Sequence, residues 1–280
     1  MPAGPRIVVL ARLEGTPFDP YENGLDSAQA HVEPILRAGI PIVFFSMRTR
    51  AELEAIQQEL GIRHPFVAEE GGALYVPQHY FGVRFARSID VAGYETVPFG
   101  RPHDQVLAAL STSARWLKAP ITTMSELSVN DVAMACQLTM LQARLAKLRD
   151  HSELFKVTDG TDPKALIQAL RSTKFQCRAY GEFLHVSAEV DTDQIVDTLL
   201  RSYRRAFDTR IFVGIGDPHG DLAMLGRVEV PLMWGHGTRT DRFNENVRLP
   251  IETLEARADA LVDIVRRLTT TLDSPRFAQP

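Results

Sequence analysis

The stretch VVLARLEGTPFDP, residues 8–20, decides the predicted fold. Its apolar half reads as a buried strand, and that strand runs directly into a turn at Gly15-Thr16. Apolar side chains at helical spacing follow, and after them come a second apolar run, another helical pattern and a third short strand. Strands that alternate with helices in this way predict a parallel sheet covered by helices on both faces. The predicted strands are 6–10, 40–45 and 65–68, and the predicted helices are 27–38 and 49–60.

The alternation is interrupted near residue 82 and resumes near residue 190. Between these points strands and helices follow each other without strict order, which predicts an α+β module inserted into the first domain. We therefore predict a doubly wound, Rossmann-like core at 1–82 and 190–280 and a cap at 83–189. In the cap we predict helices at 103–117, 129–136, 141–149 and 163–172, and strand-like segments at 84–97, 154–158, 175–179 and 183–186. In the second part of the core we predict helices at 192–207 and 251–271, a helix starting at 222, and strands at 210–214 and 230–234.

Composition excludes several classes of protein. The chain has 280 residues with 31 basic and 35 acidic side chains, and the resulting net charge of −4 argues against a nucleic-acid-binding surface. Its apolar stretches are too short to span a membrane, and the N-terminus lacks a signal-peptide layout. The two cysteines, Cys136 and Cys177, have no metal-binding spacing and fit buried thiols in a reducing compartment, so we expect a cytoplasmic protein.

Three polar loops follow predicted strands, at 12–16, 46–50 and 217–221. In an open parallel sheet such loops meet at the carboxyl ends of the strands, where ligands bind. Asp217 and Asp221 lie four residues apart between a strand and a helix, and two carboxylates there can hold Mg²⁺. The alternative is that Asp217 or its neighbour caps the helix. Ser46 can form a phosphate cradle with the backbone N–H groups of the next turn, or cap the helix that begins at 49, or do both.

Four segments together resemble the haloacid dehalogenase superfamily of phosphatases, and more closely the mannosyl-3-phosphoglycerate phosphatase family of the Cof type with a type IIB cap. SMRTRAELEAIQQELGIRHPFVAEEGGALYVP is similar to the family's Ser/Thr-x-Lys-Thr-Arg-x-Glu start and its Glu-Asn-Gly-Gly-Ala turn. LAKLRDHSELF and GEFLHV resemble two stretches of the family's cap, and GIGDPHGDLAML resembles Gly-x-Gly-Asp-Ser-x-Asn-Asp-x-x-Met-Leu. The likeness extends over nearly the whole chain and implies an α/β core with an inserted cap.

The resemblance implies a mechanism in which one Asp attacks phosphorus, a second Asp two residues later acts as acid and base, a Lys steadies the phosphoryl group, and Mg²⁺ neutralises its charge. The chain departs from this pattern at each catalytic position. Arg12 stands at the nucleophile position, Glu14 at the acid/base position and Thr192 at the Lys position. A guanidinium stays protonated and cannot attack phosphorus. Asp19 corresponds to an Asp that follows the family's Gly-Thr turn, so it does not restore the nucleophile.

Further residues match the family at positions that contact substrate, where a structural role is the alternative. Arg48, Thr49 and Arg50 would face a phosphate or carboxylate, or else form a solvated helix start. Lys147 and Arg149, with Glu153, would read the glycerate end of a ligand, or else pair on a helix surface. The remaining matches are Gly71 and Gly72 in the Gly-Gly turn, and His185, for which a structural role is favoured; Pro218, Gly220 and Glu70 replace the family's Ser, Asn and Asn.

These departures lead to a functional hypothesis. Arg12 would lie against Asp217 and Asp221 in place of Mg²⁺, with metal binding weak or absent, or would grip a phosphate beside Ser46. We expect a pseudophosphatase that binds a phosphorylated, glycosyl-phosphoglycerate-like small molecule or regulates a partner, without hydrolysis. The alternatives are a Mg²⁺-dependent phosphatase with an altered mechanism, and an interaction protein with a vestigial cleft. Glu70 would repel an anionic substrate.

Overall fold

The computed structural model describes residues 4–158, 162–216, 220–234, 252–254, 263–264 and 266–267. Its first part contains strands β1 (Ile7–Arg12), β2 (Ile42–Phe45), β3 (Phe66–Ala68), β4 (Ala73–Pro77), β5 (Ile89–Val91) and β6 (Tyr94–Pro98), with helices α1 (Pro20–Asn23), α2 (Leu25–Arg37) and α3 (Arg50–Glu59). Next come helices α4 (His103–Leu117), α5 (Val129–Cys136), α6 (Met140–Ala146) and α7 (Lys164–Ser172), with strands β7 (Ile121–Thr123), β8 (Ser152–Val157), β9 (Phe175–Tyr180) and β10 (Phe183–Ala188). The last part has helices α8 (Thr192–Phe207) and α9 (Leu222–Leu225) and strands β11 (Ile211–Gly216), β12 (Val230–Trp234) and β13 (Glu252–Leu254).

The large sheet has the strand order β13-β12-β11-β1-β2-β3-β4-β6-β5. The pairings from β13 to β3 are all parallel, and β4, β6 and β5 extend the sheet by antiparallel pairing. Strand β1 is an interior strand, between β11 and β2, so the polar loop after it lies within the sheet's carboxyl edge rather than at its side.

Alternate residues of β1 point to opposite faces of the sheet, as the strand's period of two requires. Ile7 and Val9 pack in one apolar cluster with α2 and α3, whereas Val8 and Leu10 pack in the other with α8 and α9. The large sheet is therefore covered on both faces, and the predicted doubly wound α/β core is confirmed.

The smaller part of the molecule is an antiparallel sheet in the order β7-β8-β10-β9. One face of this sheet packs against α4 and α7, since Phe155 and Val186 lie in one cluster with residues of both helices. The neighbouring residues on β9 and β10, Arg178 and His185, are directly paired and so lie on the opposite face. An α+β module inserted in the sequence between two parts of an α/β core is what the interrupted alternation predicted.

Three details differ from the sequence-based expectation. Residues 89–98 pair with β4 and extend the large sheet, so the predicted change at residue 83 does not coincide with the change of sheet. Alternation predicts a strand but does not tell which sheet it joins. The predicted helix at 251–271 begins with a strand at Glu252–Leu254, and most of that segment lies outside the described residues. Cys136 and Cys177 are free thiols, but they are half-buried rather than buried.

None of the helices in the described part of the chain has the length and apolar character that crossing a bilayer requires.

Candidate functional site

Arg12 is the last residue of β1, and its guanidinium lies among three carboxylates from three different loops. Its Nε is 3.1 Å from Oε2 of Glu14, its Nη2 donates to Oε1 of Glu70 at 2.5 Å, and its Nη1 is 3.6 Å from Oδ1 of Asp221. Burial alone would lower the pKa of Arg12, but the three carboxylates outweigh burial and raise it. The guanidinium therefore stays charged and is held at the centre of the predicted site.

The residues at the predicted phosphate cradle bind a carboxylate of the protein itself. Ser46 donates its hydroxyl to Oε1 of Glu14, and the backbone N–H of Met47 donates to the same oxygen at 2.9 Å. Burial would raise the pKa of Glu14, but the charges of Arg12 and Arg48 and the Ser46 hydrogen bond outweigh it, so this pKa is lowered. An ionised Glu14 that already accepts these bonds has no proton to give as an acid.

Thr49 and Arg50, which follow Ser46 in the loop after β2, also make contacts within the protein. Thr49, not Ser46, caps α3, in a capping box with Glu52. Thr49 also donates its hydroxyl to the carbonyl of Leu145 in the cap, at 2.9 Å. Arg50 pairs with Glu54 at 2.6 Å and lies 3.5 Å from Asp150.

Arg48 is buried in the core rather than extended towards solvent. Its Nη2 donates to Oδ2 of Asp19 at 2.6 Å, and its Nη1 is 3.6 Å from Oε1 of Glu52. The guanidinium also stacks over the ring of Tyr21, 4.3 Å from the ring centroid. Asp19 therefore balances the charge of Arg48.

The Gly-Gly turn lies where the cap meets the core. Gly71 has a φ of +89°, a conformation that side chains other than glycine rarely adopt. A Cβ on Gly72 would collide with His151, so the close approach of this cap residue requires glycine. Gly72 thus allows the cap residue His151 to approach the core, whereas a Cβ on Gly71 would meet Ile195 and Val190.

Glu69, which sequence reasoning did not single out, forms the joint itself. This fully buried carboxylate accepts the backbone N–H groups of Asp150 at 2.8 Å and His151 at 2.9 Å, and the hydroxyl of Ser152 at 2.5 Å. The partners are more than 80 positions away, so no local pattern indicates them. Its φ of +53°, and that of +56° at Glu70, are rare for residues of this type.

The two basic residues of the cap stretch contact the protein's own backbone and hydroxyl groups. Lys147 donates from Nζ to the carbonyls of Met124 at 2.6 Å, Ser125 at 3.2 Å and Leu127. Arg149 donates from Nη1 to the hydroxyl of Ser152 at 2.7 Å. Lys147 therefore ties together a loop of the cap, and Arg149 lies at the joint between cap and core.

The remaining predicted positions lie around the same edge of the sheet. Thr192 is the first residue of α8, and Asp191 caps that helix by accepting from the backbone N–H of Gln194. Asp221 is buried against Gly216 and Arg12, whereas Asp217 lies outside the described residues.

Arg178, a cap residue that no sequence motif indicated, also contacts the charged residues around Arg12. Nη1 of Arg178, on β9, is 3.4 Å from Oε2 of Glu70. Glu70 is thus shared between Arg12 of the core and Arg178 of the cap. We call the set Arg12, Glu14, Glu70, Asp221 and Arg178 the ion cluster.

His185 is buried beside the ion cluster. Its two ring nitrogens have no hydrogen-bond partner among the described residues. Burial, followed by the charges of Arg149, Arg12 and Arg178, holds its pKa well below the ordinary value for histidine. His185 is therefore a neutral ring within the cap sheet, in keeping with the structural role favoured for it.

The centre of the ion cluster is occupied by the guanidinium of Arg12. The guanidinium of Arg12 stands between Glu14, Glu70 and Asp221 and supplies the positive charge that Mg²⁺ would bring. In the part of the chain that the structure describes, no group of three or more His, Cys, Asp or Glu side chains is arranged to hold a metal. Of the two carboxylates that the resemblance assigned to Mg²⁺, Asp221 lies 3.6 Å from Arg12, an arrangement that does not suit a bound cation, and Asp217 lies outside the described residues.

A cleft of about 520 Å³ opens beside the ion cluster, between core and cap. We call it the Tyr21–Tyr180 cleft after the aromatic side chains that its two walls contribute. Glu14, Glu22 and Arg48 line the core side, and Glu182 lines the cap side. The cleft has the volume and the mixed polar and apolar lining of a small-molecule site.

Comparison with known proteins gives a consistent result. The chain is 27% identical over 227 residues to the glucosyl-3-phosphoglycerate/mannosyl-3-phosphoglycerate phosphatase of Methanococcoides burtonii, covering 81% of this chain and 84% of that protein. It is 28% identical over 246 residues to the protein of the same name from Persephonella marina, covering 87% and 89%. A haloacid dehalogenase-like hydrolase from Bacteroides thetaiotaomicron has the same fold, with a TM-score of 0.60 at 16% identity, covering 94% of this chain and 99% of that chain. No family model matches the chain.

Proposed function

The chain belongs to the haloacid dehalogenase superfamily, and from this premise we propose that it is a member that binds its ligand without hydrolysing phosphate esters. The observation that carries the proposal is the position of Arg12 at the end of β1, where its guanidinium is held by Glu14, Glu70 and Asp221. A protonated guanidinium has no lone pair to attack phosphorus. Removing a catalytic nucleophile costs several orders of magnitude in rate.

The environment of Ser46 supports the same proposal. The Ser46 hydroxyl and the Met47 N–H would be the natural donors to a transferring phosphoryl group, and both bind Glu14 instead. Thr192, at the position of the family's Lys, offers no positive charge to replace them. Nucleophile, phosphoryl donors and lysine are therefore altered together.

We also propose that Mg²⁺ binds weakly or not at all in the resting protein. A cation of charge +2 placed beside Arg12 would be repelled by the guanidinium, while the carboxylates that could attract it are already paired.

The ligand class and the second candidate function both follow from the relatives. The two relatives named glucosyl-3-phosphoglycerate/mannosyl-3-phosphoglycerate phosphatase match more than 80% of the chain, which supports a glycosylated small-molecule ligand. The same matches favour, as the second candidate, a phosphatase that works by an altered mechanism. A third reading, an interaction protein with a vestigial cleft, would predict no affinity for such ligands.

Phosphate release from mannosyl-3-phosphoglycerate and glucosyl-3-phosphoglycerate tests the proposal. The purified protein is assayed with Mg²⁺ beside two variants, Glu14→Gln and Ser46→Ala. We expect the same background release from all three, because none has a nucleophile at position 12. Turnover by the natural protein that either variant abolishes would establish the altered phosphatase instead.

A further inference from the structure

The Tyr21–Tyr180 cleft has a lining whose charge does not suit the phosphorylated ligands of the relatives. Three carboxylates, of Glu14, Glu22 and Glu182, face it, against one guanidinium, that of Arg48. Most of these charges have partners: Arg48 lies 2.6 Å from Asp19 and 3.6 Å from Glu52, Glu14 lies 3.1 Å from Arg12, and Glu182 lies 3.2 Å from Lys156. With these partners counted, five carboxylates stand against three cations, so the lining stays acidic and an anionic ligand entering it would be repelled.

The position that a ligand's phosphoryl group would occupy is already filled by a side chain of the protein. Where Glu14 and Met47 line the cleft, the Glu14 carboxylate accepts hydrogen bonds from the Ser46 hydroxyl and the Met47 N–H. These are the donors that a phosphate bound at the end of β2 would need. Glu14 is in this sense an internal substitute for the ligand's phosphate, with the extra methylene of Glu over Asp providing the reach.

The walls of the cleft carry the groups that recognise a sugar ring. Tyr180 provides a ring surface against which the apolar face of a sugar can pack, and Phe183 lies beside it. The Tyr21 ring also lines the cleft, but the guanidinium of Arg48 already stacks over it, 4.3 Å from the ring centroid. The Tyr180 hydroxyl makes no hydrogen bond to any described residue, and burial raises its pKa to about 12, so it remains a neutral donor. Sugar hydroxyls can in turn donate to the carboxylates of Glu22 and Glu182.

We infer that the Tyr21–Tyr180 cleft binds an uncharged glycoside, a sugar linked to a small polyol, and selects against its carboxylated and phosphorylated counterparts. The inference rests on the proposed absence of hydrolysis and departs from the relatives in the charge of the ligand. Burial and the nearby Asp19 and Glu14 raise the pKa of Glu22, which agrees with a cleft that already holds crowded negative charge. Further negative charge on a ligand would add to this repulsion.

A series of three probes tests the charge preference. Glucosylglycerol, glucosylglycerate and glucosyl-3-phosphoglycerate share one sugar and carry no, one and about three negative charges. Their dissociation constants are measured by isothermal titration calorimetry at low and physiological salt. We expect glucosylglycerol to bind tightest, with affinity falling by about tenfold or more at each step and the steps shrinking at higher salt. Tightest binding of the phosphorylated probe, or no binding of any probe, overturns the inference.

Two variants identify the cleft as the binding site. Tyr180→Ala removes the stacking ring and should raise the dissociation constant of glucosylglycerol by about tenfold or more. Glu182→Gln should raise this dissociation constant less, and should reduce the difference in affinity between glucosylglycerol and glucosylglycerate. Glu189→Gln, a cap glutamate that pairs with Lys174 outside the cleft, is the matched control and should change neither affinity. Unchanged binding in Tyr180→Ala, with the variant's melting temperature preserved, would exclude this cleft.

Phosphate release measured in the same titrations separates this inference from the proposed function. Release from glucosyl-3-phosphoglycerate would refute the absence of hydrolysis, whichever probe binds best. Tight binding of that probe without release would leave the proposed function intact and refute only the charge preference.

Discussion

Replacing Arg12 with Ala should uncover the negative charge that the guanidinium now balances. The side chain is 13% exposed and faces carboxylates at 2.5, 3.1 and 3.6 Å. Breaking a buried ion pair by removing one partner typically costs about 3–5 kcal/mol, because the other charge stays buried. For a chain of this size each kcal/mol corresponds to roughly 2–4 °C, so the melting temperature should fall by about 10 °C.

The same variant should respond to Mg²⁺, whereas the natural protein should not. With the guanidinium gone, Glu14, Glu70 and Asp221 lose their counter-charge, and we expect them to shift towards one another around a divalent cation; a free concentration of about 100 times the dissociation constant would then restore about 2.7 kcal/mol. Thermal melts of both proteins with EDTA and with increasing Mg²⁺ measure this. Arg37→Ala removes an arginine whose side chain is 75% exposed and pairs with Glu33 on the same helix, and this variant serves as the control, for which no large shift in melting temperature is expected.

The stability of the two proteins should also depend differently on pH. The pKa of Glu14 is lowered in the folded protein. Ionised Glu14 therefore stabilises the fold at pH values above the ordinary pKa of Glu, and this stabilisation is lost as the pH falls through the lowered pKa. Without Arg12 this pKa rises, and the stability gap between variant and natural protein should narrow from pH 7 towards pH 4. A variant as stable as the natural protein at pH 7 and indifferent to Mg²⁺ would refute the role assigned to Arg12.

Two further predictions concern the cap. Glu69→Ala leaves two backbone N–H groups and a hydroxyl without their acceptor where cap and core meet, so the free energy of unfolding should fall by about 3 kcal/mol or more. Hydrogen exchange at the amides of residues 150–152 should become faster. Unchanged protection of these amides would argue against the role of Glu69 in joining cap and core. The pKa of His185 is lowered in the folded state, so the natural protein should lose stability as pH falls below about 6.5. His185→Leu should lose less between pH 7 and pH 5, as judged by urea midpoints, and equal losses would contradict a buried neutral ring.

Local patterns were sufficient for most of the secondary structure. The helices at His103–Leu117 and Thr192–Phe207 begin and end at the residues expected from their apolar spacing. Strand β4 was not predicted, because Ala73–Pro77 follows the Gly-Gly turn and is buried throughout, with no alternation to indicate it. The pairing of residues 89–98 with that strand could not be predicted either, since pairing depends on partners that a local pattern does not contain.

The candidate site was predictable only in part. The charge argument brought Arg12 together with Asp221, and the structure has them 3.6 Å apart. It did not indicate Glu70 as the closest partner of Arg12, nor Arg178 as the second partner of Glu70, because these contacts join positions far apart in the chain. The opposing roles for Ser46 were resolved by a contact with Glu14 that required the three-dimensional arrangement.

The left-handed backbone at Glu70 couples this position to position 12. Asn, the residue of the resembled motif, tolerates this conformation well, whereas Glu bears a strain of about 1 kcal/mol or more that its bonds to Arg12 and Arg178 offset. Changing Arg12 alone to Asp would bring four carboxylates together, and changing Glu70 alone to Asn would leave Arg12 without its shortest bond. Each single substitution is thus unfavourable, so we expect the two positions to tolerate exchange only when both are changed together.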